Sequence, residues 1–294
     1  MRKLIFRMVV CVSLLVILLS TTSRIENAST KPLVPTDSQP PGQMKVRVII
    51  GAMIIDGSGR KAYRANLRIV GDRVAGIGRF APRRGEAIID ARGLVVAPGF
   101  IDIHNHSESG LAREPTAASQ VSQGITTLAV GPDGASPWPI ADYLAKREQQ
   151  PAAVNVLAFV GHATLREQVM KRDTNRRATD QEIEAMARLA EQGMSEGAYG
   201  LSSGLEYDVG HPATTEEVIA LARVAARHGG IYMSHIRDEA DAAMAAFVEA
   251  IRIGREARLP VQISHIKLGT VNVWGKAGEV IRMINQARKA GVDV

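Results

Sequence analysis

The residues of this sequence best suited to chemistry are histidines. His104 and His106 stand in the segment PGFIDIHNH. Two residues apart on an expected strand, their rings project to the same face and can reach one ion. The chain has seven histidines, so a single His-x-His pair carries little weight until its place at a strand end is considered. His235 closes the run IYMSH and His265 closes VQISH. Packing has no need of imidazole at the end of one strand after another, so the four together point to a metal site. Nitrogen-rich ligands favour zinc, as one or two ions, and iron, manganese or cobalt can use the same set. Zinc lowers the pKa of bound water to about 7 and polarises a carbonyl, which is hydrolytic chemistry without a cysteine or serine nucleophile.

Neighbouring residues extend the site. Lys267, two residues past His265, continues the same face, so its ammonium could meet a substrate carboxylate; a solvated loop lysine is the plain alternative. Tyr207 follows Glu206 and could donate a hydrogen bond to a carbonyl oxygen that gains charge, or simply pack. Arg237, Asp238 and Glu239 read as charges that open and pair a helix. His162 ends a strand without a partner in its motif and reads as structural. His211 and His228 fall in a loop and at a helix end.

These residues need strands that end at one level. Strand candidates are Phe100–His104, Ile125–Gly131, Val154–Gly161, Tyr199–Ser203, Ile231–His235 and Val261–His265, with Val292 starting a seventh. Between them lie amphipathic helices. Thr179-x-x-Glu182 and Thr214-x-x-Glu217 have the form of capping boxes, and Ile183, Met186, Ala187, Ala190 and Met194 share one helix face. Strands alternating with helices predict a parallel sheet, and six successive units favour a TIM-like (β/α)8 barrel over a doubly wound sheet. In such a barrel the chemistry sits at the C-terminal strand ends, where these histidines are. The expected organisation is a signal peptide at 1–23, a Pro-rich linker at 24–44, a small β-domain at 45–98 with a tight turn at Gly71-Asp72, and the barrel from 99 to 294.

Composition sets the outer limits. With 46% hydrophobic and 22% charged residues, the chain belongs with ordinary globular proteins rather than disordered, collagen-like or multi-span membrane classes. Arg2, Lys3, Arg7 and Arg24 against Glu26 place half of the net charge of +6 in the first 30 residues. The remainder has no basic block, which argues against a nucleic-acid partner. The basic start and the apolar run Met8–Leu19 predict export to the periplasm or beyond with no membrane span after cleavage; an uncleaved N-terminal anchor is the alternative. Cys11, the one cysteine, cannot form an internal disulfide.

The succession PGFIDIHNH, GITT with VGPDGAS, GHATLR, GLSSGLEYDVG, MSHIRDE and ISHIK resembles the amidohydrolase superfamily, and within it the D-aminoacylase (N-acyl-D-amino-acid deacylase) branch. The resemblance covers about residues 46–294. It implies a metal-dependent hydrolase acting on a carbon–nitrogen bond, with a distorted barrel, an N-acyl amino acid as substrate, and His104, His106, His235 and His265 as ligands. The branch has a cysteine after its second strand, in a Gly-x-Cys-Gly turn, where this chain reads Gly131-Pro132-Asp133-Gly134. The anionic ligand must then be another residue. Glu206 is preferred for its longer reach, and Asp133 is the positional replacement.

Two other functions compete with linear deacylation by metal-bound hydroxide. Cyclic amide hydrolysis, as in dihydroorotases and hydantoinases, uses a carbamylated strand-end lysine, and no lysine lies in a predicted strand between Phe100 and His235. A non-catalytic barrel is the other. The resemblance also places a general acid/base aspartate beyond Val294. A barrel with six finished units would then be truncated, and this fragment is expected to be inactive by itself.

Overall fold

The computed structural model describes residues 45–294. The predicted signal peptide and Pro-rich linker lie outside the described residues. The chain divides into two compact units, one reaching Phe100 and adding Ala118–Thr126, the other comprising Ile101–Ala117 and Thr127–Val294.

In the first unit, β1 (Val46–Ile54), β2 (Tyr63–Val70), β3 (Arg73–Gly78), β4 (Ala87–Asp90) and β5 (Val95–Val96) form one sheet. β2 pairs antiparallel with β1 and β3, while β4 and β5 run parallel to β1. The β2–β3 connection is the two-residue turn at Gly71-Asp72, with Gly71 at a positive φ of 59° that suits the first turn position. Alternation along β2 buries Ala65, Leu67 and Ile69. A register shift in β1 between Ile49 and Ala52 brings these two residues, three apart, into the same core with Ile54.

The second unit begins with β6 (Phe100–Asn105) and α1 (Gly110–Arg113); α2 (Ala118–Val121) belongs to the first. Then follow β7 (Ile125–Val130), α3 (Ile140–Gln149), β8 (Asn155–Ala158), β9 (Val160–Gly161), α4 (His162–Met170), α5 (Asp180–Ser195), β10 (Gly200–Gly204), α6 (Thr215–Arg227), β11 (Ile231–His235), α7 (Ala243–Ala257), β12 (Val261–Ile263) and α8 (Ala277–Lys289). The strand–helix alternation is present, and each recorded pairing, β7–β8, β9–β10, β10–β11 and β11–β12, is parallel. The strands nevertheless form two hydrogen-bonded groups, β6-β7-β8 and β9-β10-β11-β12, so the eight-stranded barrel predicted from the sequence is not seen closed among the described residues. The expected strand Val154–Gly161 is divided at Phe159. Its amide donates to the Val130 carbonyl at 3.0 Å, while the Ala158 carbonyl accepts the Tyr199 amide at 2.8 Å, so the chain changes neighbours there. Val292 starts no strand: residues 292–294 lie beside β12 with a single ladder bond, from the Val261 amide to the Asp293 carbonyl at 2.8 Å.

The core of this unit packs Val160, Leu201 and Tyr232 from the strands against Met186, Leu221 and Phe247 from the helices. The capping box at Thr179 is complete, with Thr179 Oγ1 accepting the Glu182 amide and Glu182 accepting the Thr179 amide. The one expected at Thr214 is only half formed. Thr214 accepts the Glu217 amide at 3.1 Å, but the Glu217 carboxylate turns inward, taking two bonds from Arg166 Nη1 at 2.6 and 2.8 Å and facing His162 Nε2 at 2.8 Å. A buried arginine outcompetes a solvent-facing amide for that carboxylate because an unpaired buried charge is far costlier.

Candidate metal centre

The four strand-end histidines meet around one carboxylate. His104 lies in β6 and His106 one residue past its end, and each places Nε2 at 3.2 Å from Asp133 Oδ2. His235 ends β11 and puts Nδ1 3.6 Å from Asp133 Oδ1; His265 Nε2 lies 3.8 Å from the same oxygen and 3.1 Å from His235 Nδ1. His265 sits beyond the end of β12 with a φ of 27°, which swings its ring back over the mouth. Ring centroids lie 5.3 Å apart for His104–His106, 4.8 Å for His104–His265 and 4.6 Å for His235–His265.

Three of these rings are held from behind. The nitrogens that face away from Asp133 meet Ser264 Oγ at 3.0 Å for His104, Glu206 Oε2 at 2.8 Å for His235 and Glu239 Oε1 at 2.8 Å for His265. For His235 the Glu206 carboxylate can take the proton of the outward nitrogen and leave a lone pair pointing inward, the arrangement that metal-ligating histidines use, while Glu239 approaches His265 as an ion-pair partner. Asp133 Oδ1 is buried and has no hydrogen-bond partner, so the molecule itself supplies no proton to that oxygen. Two ligands bound tetrahedrally at zinc distances lie about 3.3 Å apart, close to the spacings around both Asp133 oxygens. The donor set therefore fits a divalent cation, with His104, His106 and Asp133 as one group, Asp133, His235 and His265 as a second, and Glu206, His235 and Glu239 as a third.

Electrostatics agree with an anionic cradle. Burial works to raise the Asp133 pKa, but the facing rings of His104 and His235 hold the carboxyl well below its ordinary range. Burial likewise opposes ionisation of His235, and Asp133 and Glu206 overcome it to raise its pKa. Burial also pushes Glu206 up, and His235 with the Glu239 amide brings it below the usual value. Tyr207, raised by burial and by Asp133 and Glu239, keeps its proton and sets its hydroxyl 3.2 Å from His235 Nδ1.

The carboxylate at the centre is Asp133; Glu206 faces the far nitrogen of His235. Lys267 lies at the rim, half exposed, with Nζ 2.5 Å from Glu239 Oε2. Arg237 pairs with Glu249 and Asp238 accepts the amides of Ala240 and Ala242, the helix-opening roles read from sequence. Glu239 breaks that pattern, buried between His265 and Lys267. Its spacing of four from His235 was the available signal. His162 is fully buried on Glu217, away from the cluster; the His228 ring lies on Glu191, and His211 is exposed and offers its carbonyl to Arg237.

Comparison with known proteins fits this geometry. A D-aminoacylase of Alcaligenes xylosoxydans xylosoxydans is 41% identical over 275 residues, covering 86% of this chain and 56% of the relative. The solved N-acyl-D-glutamate deacylase of Bordetella bronchiseptica, complexed with zinc and a phosphonate that mimics the tetrahedral intermediate, superposes with a TM-score of 0.80 at 35% identity, over 86% of this chain and 57% of that one. A D-aminoacylase structure with a binuclear metal centre gives a TM-score of 0.78 at 35% identity, over 84% and 57%. The chain thus spans about half the length of the relatives it matches. Residues 87–291 match the sequence profile described as the amidohydrolase family, and this match, together with the D-aminoacylase relative, shows that the chain belongs to that family.

Proposed function

We propose that the protein hydrolyses the linear amide of N-acyl-D-amino acids in a metal-dependent reaction. The observation that carries this reading is the convergence of four histidine nitrogens on the two oxygens of Asp133. A divalent ion, zinc in first place, supplies Lewis acidity and an activated water when bound. The relatives matched over most of this chain are named for D-aminoacylase and N-acyl-D-glutamate deacylase activity.

The chain's own residues divide the remaining work. His104, His106, His235 and His265 hold the cation with Asp133, while Ser264, Glu206 and Glu239 hold three of the rings from behind. Tyr207, half exposed, is a donor at the edge of the cluster for a carbonyl oxygen that gains charge. Lys267 meets the substrate carboxylate, which competes with Glu239 for the ammonium. Because the chain spans about half the length of the relatives it matches, turnover is proposed for a protein of the relatives' length. Export through the N-terminal segment belongs to the same reading and is checked by N-terminal sequencing of the mature protein.

The test is metal analysis of protein purified without chelator, followed by hydrolysis assays on paired N-acetyl-D- and N-acetyl-L-amino acids. Bound divalent metal and selective turnover of the D series are expected. Turnover of the L series alone discards the D-aminoacylase reading, and failure to take up metal discards the hydrolytic mechanism.

A further inference from the structure

Strained backbone presents Asp133. Gly131, Asp133 and Gly134 have positive φ values of 77°, 58° and 82°, and a non-glycine residue keeps such a conformation only where its surroundings over-determine it. Here the surroundings bond the turn's own backbone. The Ser202 hydroxyl, fully buried on β10, donates to the Gly131 carbonyl at 2.6 Å and accepts the Gly134 amide at 3.3 Å, so one side chain spans both ends of the four-residue turn. Glu108, two residues past His106, accepts the Gly131 amide at 2.8 Å. The Thr164 amide donates to the Gly134 carbonyl at 3.1 Å. Glycines leave the room: a Cβ at Gly161 would lie 2.2 Å from the Gly134 carbonyl oxygen, and one at Gly204 2.3 Å from the Asp133 carbonyl oxygen.

We infer that Ser202, assisted by Glu108, is a positioning residue that shapes the Gly131–Gly134 turn and so sets the two oxygens of Asp133 between the two histidine pairs. The inference rests on the metal-site reading. Glu108 ties the turn to the strand that bears His104 and His106, and Ser202 ties it to β10, the neighbour of the strand that bears His235. Asp133 is thereby fixed against both pairs at once, as a ligand with one oxygen for each requires. The next residue supplies a control within the same strand: Ser203 is equally buried, but its hydroxyl pairs with the Tyr232 hydroxyl at 2.6 Å rather than with the turn backbone.

The test compares Ser202→Ala with Ser203→Ala in the 294-residue chain. In metal-free protein, hydrogen exchange at the Gly134 amide is expected to rise at least about tenfold in Ser202→Ala and to stay unchanged in Ser203→Ala, since only the former removes its acceptor. Zinc affinity is expected to fall roughly 10- to 100-fold in Ser202→Ala. In an Asp133→Ala background the same serine substitution should change residual zinc affinity by less than about twofold, because the serine acts through the aspartate. Ser202→Cys, with a weaker donor, should fall between. Equal effects of the two alanine variants, or an undiminished effect without Asp133, would overturn the inference. If the unaltered chain takes up no zinc, the functional reading fails, and exchange at Gly134 still decides whether Ser202 holds the turn. Should Ser202→Ala not fold, Ser202→Cys and Glu108→Ala carry the same measurements.

Discussion

Two clusters in the second unit mix histidine with carboxylate, and they do opposite things. Glu217 and His162 are fully buried with Arg166, whose guanidinium makes two bonds to the carboxylate and reaches the Thr174 and Arg176 carbonyls. Among the described residues Asp133 sits between four histidines with no lysine or arginine bonded to it, and one of its oxygens has no hydrogen-bond partner. The residue types are nearly the same; the counter-charge is not. Where an arginine supplies the positive charge the carboxylate is neutralised, and the pair ties α4 to α6. Where none does, the carboxylate and the ring nitrogens form the donor set to which the proposed function assigns a cation.

Breaking each cluster should expose this difference. Asp133→Ala is expected to weaken zinc binding by more than about 100-fold, since it removes an oxygen from both ligand groups, and with it most of the thermal stabilisation that zinc gives the unaltered chain. That stabilisation is about 2.7 kcal/mol at a free concentration 100 times Kd, and calorimetry with and without metal reads it. Glu217→Ala should do the reverse. Leaving Arg166 buried and unpaired costs roughly 3–5 kcal/mol in denaturant unfolding, while zinc stoichiometry in the folded fraction is unchanged. Loss of metal from the Glu217 variant under native conditions would show that the two clusters are one.

Smaller changes sharpen the contrast. Glu239→Gln removes the carboxylate behind His265 and should weaken zinc about 10- to 100-fold. Glu206→Gln, at a more exposed position behind His235, should weaken it less; an equal or larger loss would return Glu206 to the ligand set. Acid should dissect the clusters too. Glu217 is pushed up by burial and brought down further by His162 and Arg166, so its folded pKa lies below the unfolded value. Its contribution to stability is therefore present above the ordinary glutamate pKa of about 4.3 and is lost as pH falls through the depressed folded value. Metal affinity should decline at higher pH than this, since protons compete for His235, whose pKa Asp133 and Glu206 raise above its ordinary value against the effect of burial. Zinc titrations and unfolding curves between pH 3 and 7 separate the two transitions. Thr179→Ala should cost about 1 kcal/mol through the lost cap of α5 and leave the metal site untouched.

Local periodicity determined a good part of this protein. The two-residue spacing of His104 and His106, the Ser-His endings of two successive strands, the face Met186-Ala190-Met194 of α5 and its capping box all follow from rules acting over one to four residues, so they were legible in the sequence. What depended on distant partners was not. Glu217 has the spacing of a capping box, and an arginine 51 residues away took its carboxylate. Glu239 resembles a helix-opening charge, and its partners became His265 and Lys267. Glu206 and Asp133 both stand among the histidines, Asp133 facing His104 and His106 from the Gly131–Gly134 turn and Glu206 facing the far nitrogen of His235, a difference that spacing along the chain does not reveal. Spacing along a chain specifies which residues share a face. Which carboxylate ends among which nitrogens depends on backbone direction at strand ends and on burial, where an unpaired charge is too costly to leave, and both are properties of the packed chain.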